Sequence, residues 1–177
     1  MKTLIIPGSL RKDSYNRKLL AIASDIAQGL GCEIKKADLK DLDFPVLNED
    51  EQPSKGEEEF NDLVAEAKLI IIATPEYNRS IPGGLKNALD HINGKIPLAD
   101  KVAVIIGAST SGFGTVRAQR HLRQVLAPMG ALMLHNPEIH VNHAKDAFNE
   151  DGSLKDETIK ENLKLLIEKS IDLARKI

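Results

Sequence analysis

The 177-residue chain has one cysteine, no tryptophan and almost no excess of charge. A lone Cys32 cannot form an intramolecular disulfide, which indicates a reducing compartment such as the cytoplasm. The 24 basic and 26 acidic residues give a formal net charge of -2. Without an overall positive field, the chain is not expected to bind nucleic acid or an anionic membrane, so its partners are expected to be small molecules.

Long apolar runs are also missing. The amino-terminal run Leu4-Ile5-Ile6 stops at Pro7-Gly8, which is too short for a signal-peptide core, and no segment is long enough to span a bilayer. Hydrophobic residues make up 42% and charged residues 28% of the chain, as in ordinary globular proteins. We predict a cytoplasmic protein in which residues 1–177 form a single domain.

Short apolar runs alternate with segments of helical spacing along the chain. Strands are predicted at residues 4–6, 34–39, 69–73 and 102–106, with a fifth strand within residues 131–141. An amphipathic helix is predicted after each strand. Five strands alternating with five helices predict a doubly wound parallel sheet with helices on both faces, and the strand order 2-1-3-4-5 fits this length best.

Three loops follow the first, third and fourth predicted strands: the first loop (residues 8–14), the second loop (residues 74–82) and the third loop (residues 109–115). Ligands of open parallel sheets bind beyond the carboxyl ends of the strands. We therefore expect the chemistry of this protein to lie in these three loops.

The first loop opens a helix with the sequence Gly8-Ser9-Leu10-Arg11-Lys12-Asp13-Ser14-Tyr15-Asn16. Unpaired N–H groups at a helix start and the guanidinium of Arg11 suit an anion, and the same residues also suit plain capping by Ser14 or Asn16. The dinucleotide fingerprint and the nucleoside-triphosphate loop are both absent, which favours a monophosphate. The third strand runs into Thr74-Pro75 rather than an aspartate, which argues against a phospho-accepting receiver domain.

The second loop and the helix after it read Pro75-Glu76-Tyr77-Asn78-Arg79-Ser80-Ile81-Pro82-Gly83-Gly84-Leu85-Lys86-Asn87. This segment resembles the corresponding loop of the NADPH-dependent FMN reductases, a family that includes quinone, chromate and azo reductases. The first loop, and Ser109-Thr110-Ser111-Gly112-Phe113-Gly114 in the third loop, are also similar to that family. Three motifs in the right order, each after the right strand, make the resemblance specific.

The resemblance implies a flavodoxin-like fold and an FMN-dependent enzyme that passes electrons from NADPH or NADH to quinones, azo compounds, chromate or free flavin in a ping-pong reaction. It implies no catalytic side chain, since flavin N5 carries the chemistry. It further implies a homodimer or homotetramer. The FMN phosphate is expected to contact Ser9, Arg11, Ser14 and Asn16; the isoalloxazine is expected to contact Pro75, Glu76, Tyr77 and Asn78; and Ser111 and Gly112 are expected to close the site.

Other functions remain open at this point. A flavodoxin-like electron carrier also binds FMN, but its usual signature is aromatic residues around the flavin within a strongly acidic surface, which this chain does not show. A module that uses FMN only structurally would differ from the enzyme in failing to oxidise NADPH. His135, His140 and His143 match no metal-ligand spacing, so no metal is expected. Arg117 and Arg120 suit either an anionic substrate or a solvated helix face.

Overall fold

The computed structural model describes residues 1–42, 44–94 and 97–177. Five strands in these residues form one parallel sheet in the order β2-β1-β3-β4-β5. The predicted doubly wound sheet and its strand order are confirmed. The strands are β1 Lys2–Pro7, β2 Glu33–Lys36, β3 Leu69–Ala73, β4 Val102–Ala108 and β5 Ile139–Val141.

Six helices occur in the described residues, one more than predicted. The additional helix is a single turn after β5, too short to give a periodic apolar pattern in the sequence. The helices are α1 Tyr15–Gly29, α2 Lys55–Glu66, α3 Gly83–Asp90, α4 Val116–Leu126, α5 Ala144–Ala147 and α6 Glu157–Ala174.

Helices cover both faces of the sheet. Alternate strand residues such as Ile71 and Val104 pack with α1 and α6, whereas Ile70 and Ile105 pack with α2, α3 and α4. Every residue of β3 and β4 is buried, which explains why these strands read as continuous apolar runs rather than alternating ones. None of the described helices is long and apolar enough to cross a membrane.

The second strand is shorter than the predicted segment 34–39. It ends at Lys36, and two residues later the carboxylate of Asp38 binds the guanidinium of Arg17 in α1 and accepts the N–H of Lys40. These bonds turn the chain away from the sheet. Cys32, the residue before β2, is buried.

Candidate active site

The first, second and third loops converge at the carboxyl ends of β1, β3 and β4, where they surround a cleft of about 130 Å³. This volume is smaller than that of a closed ligand pocket, which is usually about 300 to 1,000 Å³. A large ligand therefore rests partly outside the cleft. Its lining residues are Ser9, Arg11, Ser14, Tyr15, Asn16, Pro75, Glu76, Tyr77, Ala108, Ser109 and Thr110.

The first loop presents a set of unpaired backbone donors. Ser14 is the N-cap of α1 and its hydroxyl accepts the N–H of Asn16 at 3.2 Å, so Ser14 rather than Asn16 is the capping residue that the sequence left open. In the described part of the chain, the N–H groups of Leu10, Lys12 and Tyr15 have no hydrogen-bond partner. The first turn of α1 also carries no acidic residue. This helix start is therefore well suited to an anion.

Arg11 is exposed, and its guanidinium makes no hydrogen bond or ion pair with the described residues. Its backbone N–H donates to Ser9 Oγ at 3.4 Å, which directs the main chain around the buried Ser9. The neighbouring Lys12 is exposed and does not line the cleft. Arg11 thus adds an unpaired positive charge to the backbone donors of the first loop.

A half-buried ion pair supports the first loop from behind. Arg17 donates from Nε to the carbonyl oxygen of Ser9 at 3.1 Å and from Nη2 to Asp38 Oδ1 at 2.7 Å, with a second bond from Nη1 to Oδ2. The hydrogen bonds from Arg17 hold the pKa of the Asp38 carboxyl well below its usual range, and Lys36 adds to the effect. The position of Ser9 is therefore fixed by a charged group that does not itself reach the cleft.

Asn16 joins the first loop to β4. Its Nδ2 donates to the carbonyl oxygen of Ala108 at 2.9 Å, and its Oδ1 accepts the N–H of the same residue at 2.8 Å. Asn16 is 3% exposed, so both bonds are buried. The side chain predicted to contact a phosphate is thus engaged with the end of β4, and it holds the first and third loops together.

The second loop contains a tight turn at Tyr77–Ser80. The backbone N–H of each end residue donates to the carbonyl of the other at 3.0 Å, and the two central residues, Asn78 and Arg79, have φ values of 50° and 65°. Left-handed backbone is tolerated by Asn but costs an Arg roughly 1 to 2 kcal/mol. Such strain is typical of functional sites.

This turn determines which backbone N–H groups of the second loop are free. The N–H of Tyr77 is bonded to Ser80, while the N–H groups of Glu76 and Asn78 have no partner among the described residues. Tyr77 is 48% exposed beside the cleft. The carboxylate of Glu76 accepts the backbone N–H groups of Arg117 and Ala118 at the start of α4.

The third loop reaches the cleft through Ser109 and Thr110, not through the predicted Ser111 and Gly112. Since β4 ends at Ala108, Ser109 and Thr110 are the first residues to leave the strand. The hydroxyl of Ser111 bonds instead within the loop, to Ser109 Oγ at 3.0 Å and to the N–H of Phe113. The third loop therefore closes the cleft with its first residues.

Residues 1–146 match the family model of the NADPH-dependent FMN reductases. The chain belongs to this family. The family assignment confirms the enzyme class and the FMN cofactor that the three motifs predict, with NADPH or NADH as the electron donor.

Relatives and a solved structure support the assignment over most of the chain. An NAD(P)H-dependent FMN reductase of Pseudomonas aeruginosa is 39% identical over 166 residues, which cover 91% of this chain and 88% of the relative. An NAD(P)H:quinone oxidoreductase of Solanum tuberosum is 38% identical over 169 residues, covering 90% of this chain and 86% of the relative. The structure of FerB, a flavoenzyme NAD(P)H:(acceptor) oxidoreductase from Paracoccus denitrificans, has 31% identity and a TM-score of 0.87, covering 99% of this chain and 97% of that chain.

The cleft of this FMN reductase fits the cofactor at the phosphate end. Unpaired N–H groups and a free guanidinium are the donors that a phosphate monoester accepts from, and the described residues leave them without partners. The structure brings Ser9, Arg11, Ser14, Asn16, Pro75, Glu76 and Tyr77 to the cleft, while Asn78, Ser111 and Gly112 lie outside its lining.

Sequence reasoning missed Tyr15, Ala108, Ser109 and Thr110 as lining residues. The rule that ligands lie beyond strand ends points to Ser109 and Thr110, the first residues of the third loop, whereas the family resemblance points to Ser111 and Gly112. Arg117, whose role the sequence left open, contacts Glu76 and lies 4.2 Å from the ring centre of Phe113. Among the described residues, no group of three or more His, Cys, Asp or Glu side chains is placed to hold a metal ion.

Proposed function

We propose that the chain is an FMN-dependent NAD(P)H oxidoreductase that reduces quinones. The observation that carries the proposal is the set of unpaired N–H groups and the free Arg11 at the end of β1, beside the exposed Tyr77 at the end of β3. The relative from Solanum tuberosum acts on quinones according to its name, which supports this acceptor class. Azo compounds, chromate and free flavin are further acceptors to be compared with quinones.

The first loop binds the phosphate of FMN in this proposal. Arg11 and the unpaired N–H groups donate to the phosphate oxygens, Ser9 and Ser14 shape the loop, and Asn16 holds it against β4. The second loop lies along the flavin ring, with the N–H groups of Glu76 and Asn78 free to donate to it. Bound FMN supplies the hydride and electron transfer, for which the protein provides position and charge.

The two substrates share one side of the site. The cleft is small and open, and Tyr77, which is 48% exposed, lies at its rim. A planar nicotinamide and a planar quinone both suit stacking at such a surface. Because one substrate has to leave before the other enters, we propose ping-pong kinetics.

We also propose that the enzyme is a homodimer or homotetramer. Leu10, Val46 and Leu47 are 50%, 83% and 40% exposed. Asn87 in α3 binds the carbonyl oxygen of Pro45 and the N–H of Leu47, which places the last two of these side chains beside α3. An exposed apolar group of this kind suits a contact with a second copy. Light scattering of the purified protein tests this proposal, and a monomer at micromolar concentration would contradict it.

We also propose that the chain forms one domain and that it works in the cytoplasm. Strands from residues 2–141 share one sheet, and α6 packs against the same face as α1, so we propose that residues 1–177 act as a single FMN-binding domain. The single cysteine is buried and unpaired, in keeping with a reducing compartment.

The test is an anaerobic titration followed by steady-state kinetics. NADPH or NADH should bleach the flavin absorbance of the reconstituted protein, and a quinone added afterwards should restore it. Double-reciprocal plots should be parallel. Intersecting lines would contradict the shared site, and a protein that binds FMN without oxidising either nicotinamide would be an electron carrier or a structural flavin module instead.

A further inference from the structure

Helix α4 begins without a cap of its own. Its N-cap residue, Thr115, has a left-handed φ of 68° and makes no side-chain capping bond. The Thr115 hydroxyl accepts instead from Nε2 of Gln119, at 3.0 Å. The first N–H groups of a helix have no partner within the helix, so a buried start of this kind needs an acceptor from elsewhere.

Glu76 supplies that acceptor from the second loop. Its Oε2 accepts the N–H groups of Arg117 at 3.0 Å and Ala118 at 3.1 Å. The Glu76 side chain is 12% exposed, so the two bonds are shielded from water. A carboxylate at a helix amino terminus is stabilised by these N–H groups and by the helix dipole.

The same carboxylate is linked to the third loop through Arg117. Its Oε1 lies 3.4 Å from Nη1 of Arg117, and the guanidinium of Arg117 lies 4.2 Å from the ring centre of Phe113. Glu76 therefore joins the second loop to the start of α4, and Arg117 extends this link to Phe113 in the third loop. The residues on either side of its own main chain, Pro75 and Tyr77, both line the cleft.

We infer that Glu76 is a positioning residue for the flavin ring. It acts by binding the start of α4, which fixes the position of the second loop. The carboxylate fixes the orientation of the Glu76 peptide, whose N–H is unpaired, and of the turn that carries Tyr77. This inference rests on the proposed function, since it assumes that the flavin ring lies along the second loop. In this inference the Glu76 side chain binds the protein, and only its backbone N–H is free to bind the ligand.

The expected signature is an equal loss of affinity for two flavins. The apoprotein of Glu76→Ala should bind FMN and riboflavin about tenfold more weakly than wild type, by the same factor for both, because the ring is common to them. The absorbance bands of bound FMN should also shift. Glu76→Gln keeps one oxygen that can accept both N–H groups, so its affinities should return to within about threefold of wild type.

Asp156→Ala provides the matched control. Asp156 caps α6 by accepting the N–H of Ile159 at 3.2 Å, and it does not line the cleft. Its removal deletes a carboxylate helix cap, as Glu76→Ala does, and should lower the unfolding temperature without changing flavin affinity or absorbance. If Glu76→Ala does not fold, Glu76→Asp replaces it, since its carboxylate falls one methylene short of α4.

Three results would separate the possible failures. Wild-type apoprotein that binds neither flavin would overturn the proposed function itself. Wild-type binding with unchanged affinity and spectrum in Glu76→Ala would overturn the positioning role alone. A loss confined to FMN, with riboflavin unaffected, would place Glu76 in the phosphate site rather than beside the ring, and would also overturn the inference.

Discussion

The first and second loops leave neighbouring strands at the same edge of the sheet, but they are held in opposite ways. The first loop keeps its donors free: several N–H groups and the guanidinium of Arg11 have no partner in the described residues, and support comes from behind through Arg17. In the second loop, by contrast, the carboxylate of Glu76 is bonded to the start of α4, and Arg79 has a left-handed backbone conformation.

This difference suits the two ends of FMN. A phosphate is recognised by charge and by many donors, so a loop with free donors gains affinity without needing a single strict geometry. A flavin ring is served by a few donors in fixed positions, so a loop held by its own side chains gains precision. Variants in the first loop should therefore affect affinity for the phosphate, and variants in the framework of either loop should affect stability.

The largest effect is expected for Asn16→Ala. The change leaves the N–H and carbonyl of Ala108 without their buried partner, which should lower the free energy of unfolding of the apoprotein by about 3 kcal/mol. Urea unfolding measures this loss. Asn48→Ala is the control, since Asn48 is exposed and should cost less than about 0.5 kcal/mol.

Apoprotein stability close to wild type in Asn16→Ala, together with a large loss of FMN affinity, would contradict this prediction. That result would indicate that Asn16 contacts the phosphate, as the sequence motif predicts.

Arg11→Ala should have the next largest effect, and on binding rather than stability. A charge-assisted hydrogen bond contributes about 1.5 to 3 kcal/mol, so FMN affinity should fall by about 10- to 100-fold. Riboflavin lacks the phosphate and should bind wild type and variant alike. Quenching of flavin fluorescence by the apoproteins measures both affinities.

Lys12→Ala is the matched control for Arg11→Ala, because Lys12 is an exposed neighbouring cation outside the cleft lining. Its FMN affinity should stay close to wild type. If the FMN affinity of Arg11→Ala were within twofold of wild type, Arg11 would not bind the phosphate, and the first loop would serve only to cap α1.

Asp38→Asn tests the support behind the first loop through its pH dependence. The pKa of Asp38 is lowered in the folded protein, so its pair with Arg17 stabilises the fold fully at pH values above the ordinary carboxyl pKa of about 3.9 and less as the pH falls below it. At pH 7 the variant should lose about 2 kcal/mol of unfolding free energy. The difference from wild type should shrink towards pH 3.

Urea unfolding at both pH values measures this change, and a difference that does not shrink on acidification would contradict the role given to the ion pair. Glu66→Gln is the control, because its pair with Lys2 is exposed and should change stability little at either pH.

Local patterns in the sequence predicted the fold, because the central strands β3 and β4 are buried on both faces and are followed by turn residues. The same patterns placed the three loops, although the predicted fourth strand ends at Ile106, two residues before the observed one. Gly107 and Ala108 do not read as strand, but a Cβ at Gly107 would lie 1.9 Å from Thr115 Oγ1, so the strand needs glycine there. This contact is invisible without the tertiary structure.

The sequence could not predict that Asn16 and Glu76 bind other parts of the protein, for a similar reason. Asn16 binds a residue 92 positions away, and Glu76 binds the start of a helix 41 positions away. Residue type and motif placed both side chains at the cleft, but only the packing of the sheet decides whether their polar groups face a ligand or the protein. Spacing in a single sequence carries no record of such pairs.

The smallest expected effect tests the strain in the second loop. Glycine adopts the left-handed conformation of Arg79 without a Cβ penalty, although it adds freedom to the unfolded chain, so Arg79→Gly should raise the free energy of unfolding by up to about 1 kcal/mol. Arg79→Lys keeps both the Cβ and the charge and should match wild type. Asn78→Gly should gain less, because Asn tolerates this backbone region. Thermal unfolding of the apoproteins measures all three. If Arg79→Gly were less stable than Arg79→Lys, the turn would not be strained at this position, and the contrast between the two loops would have to rest on Glu76 alone.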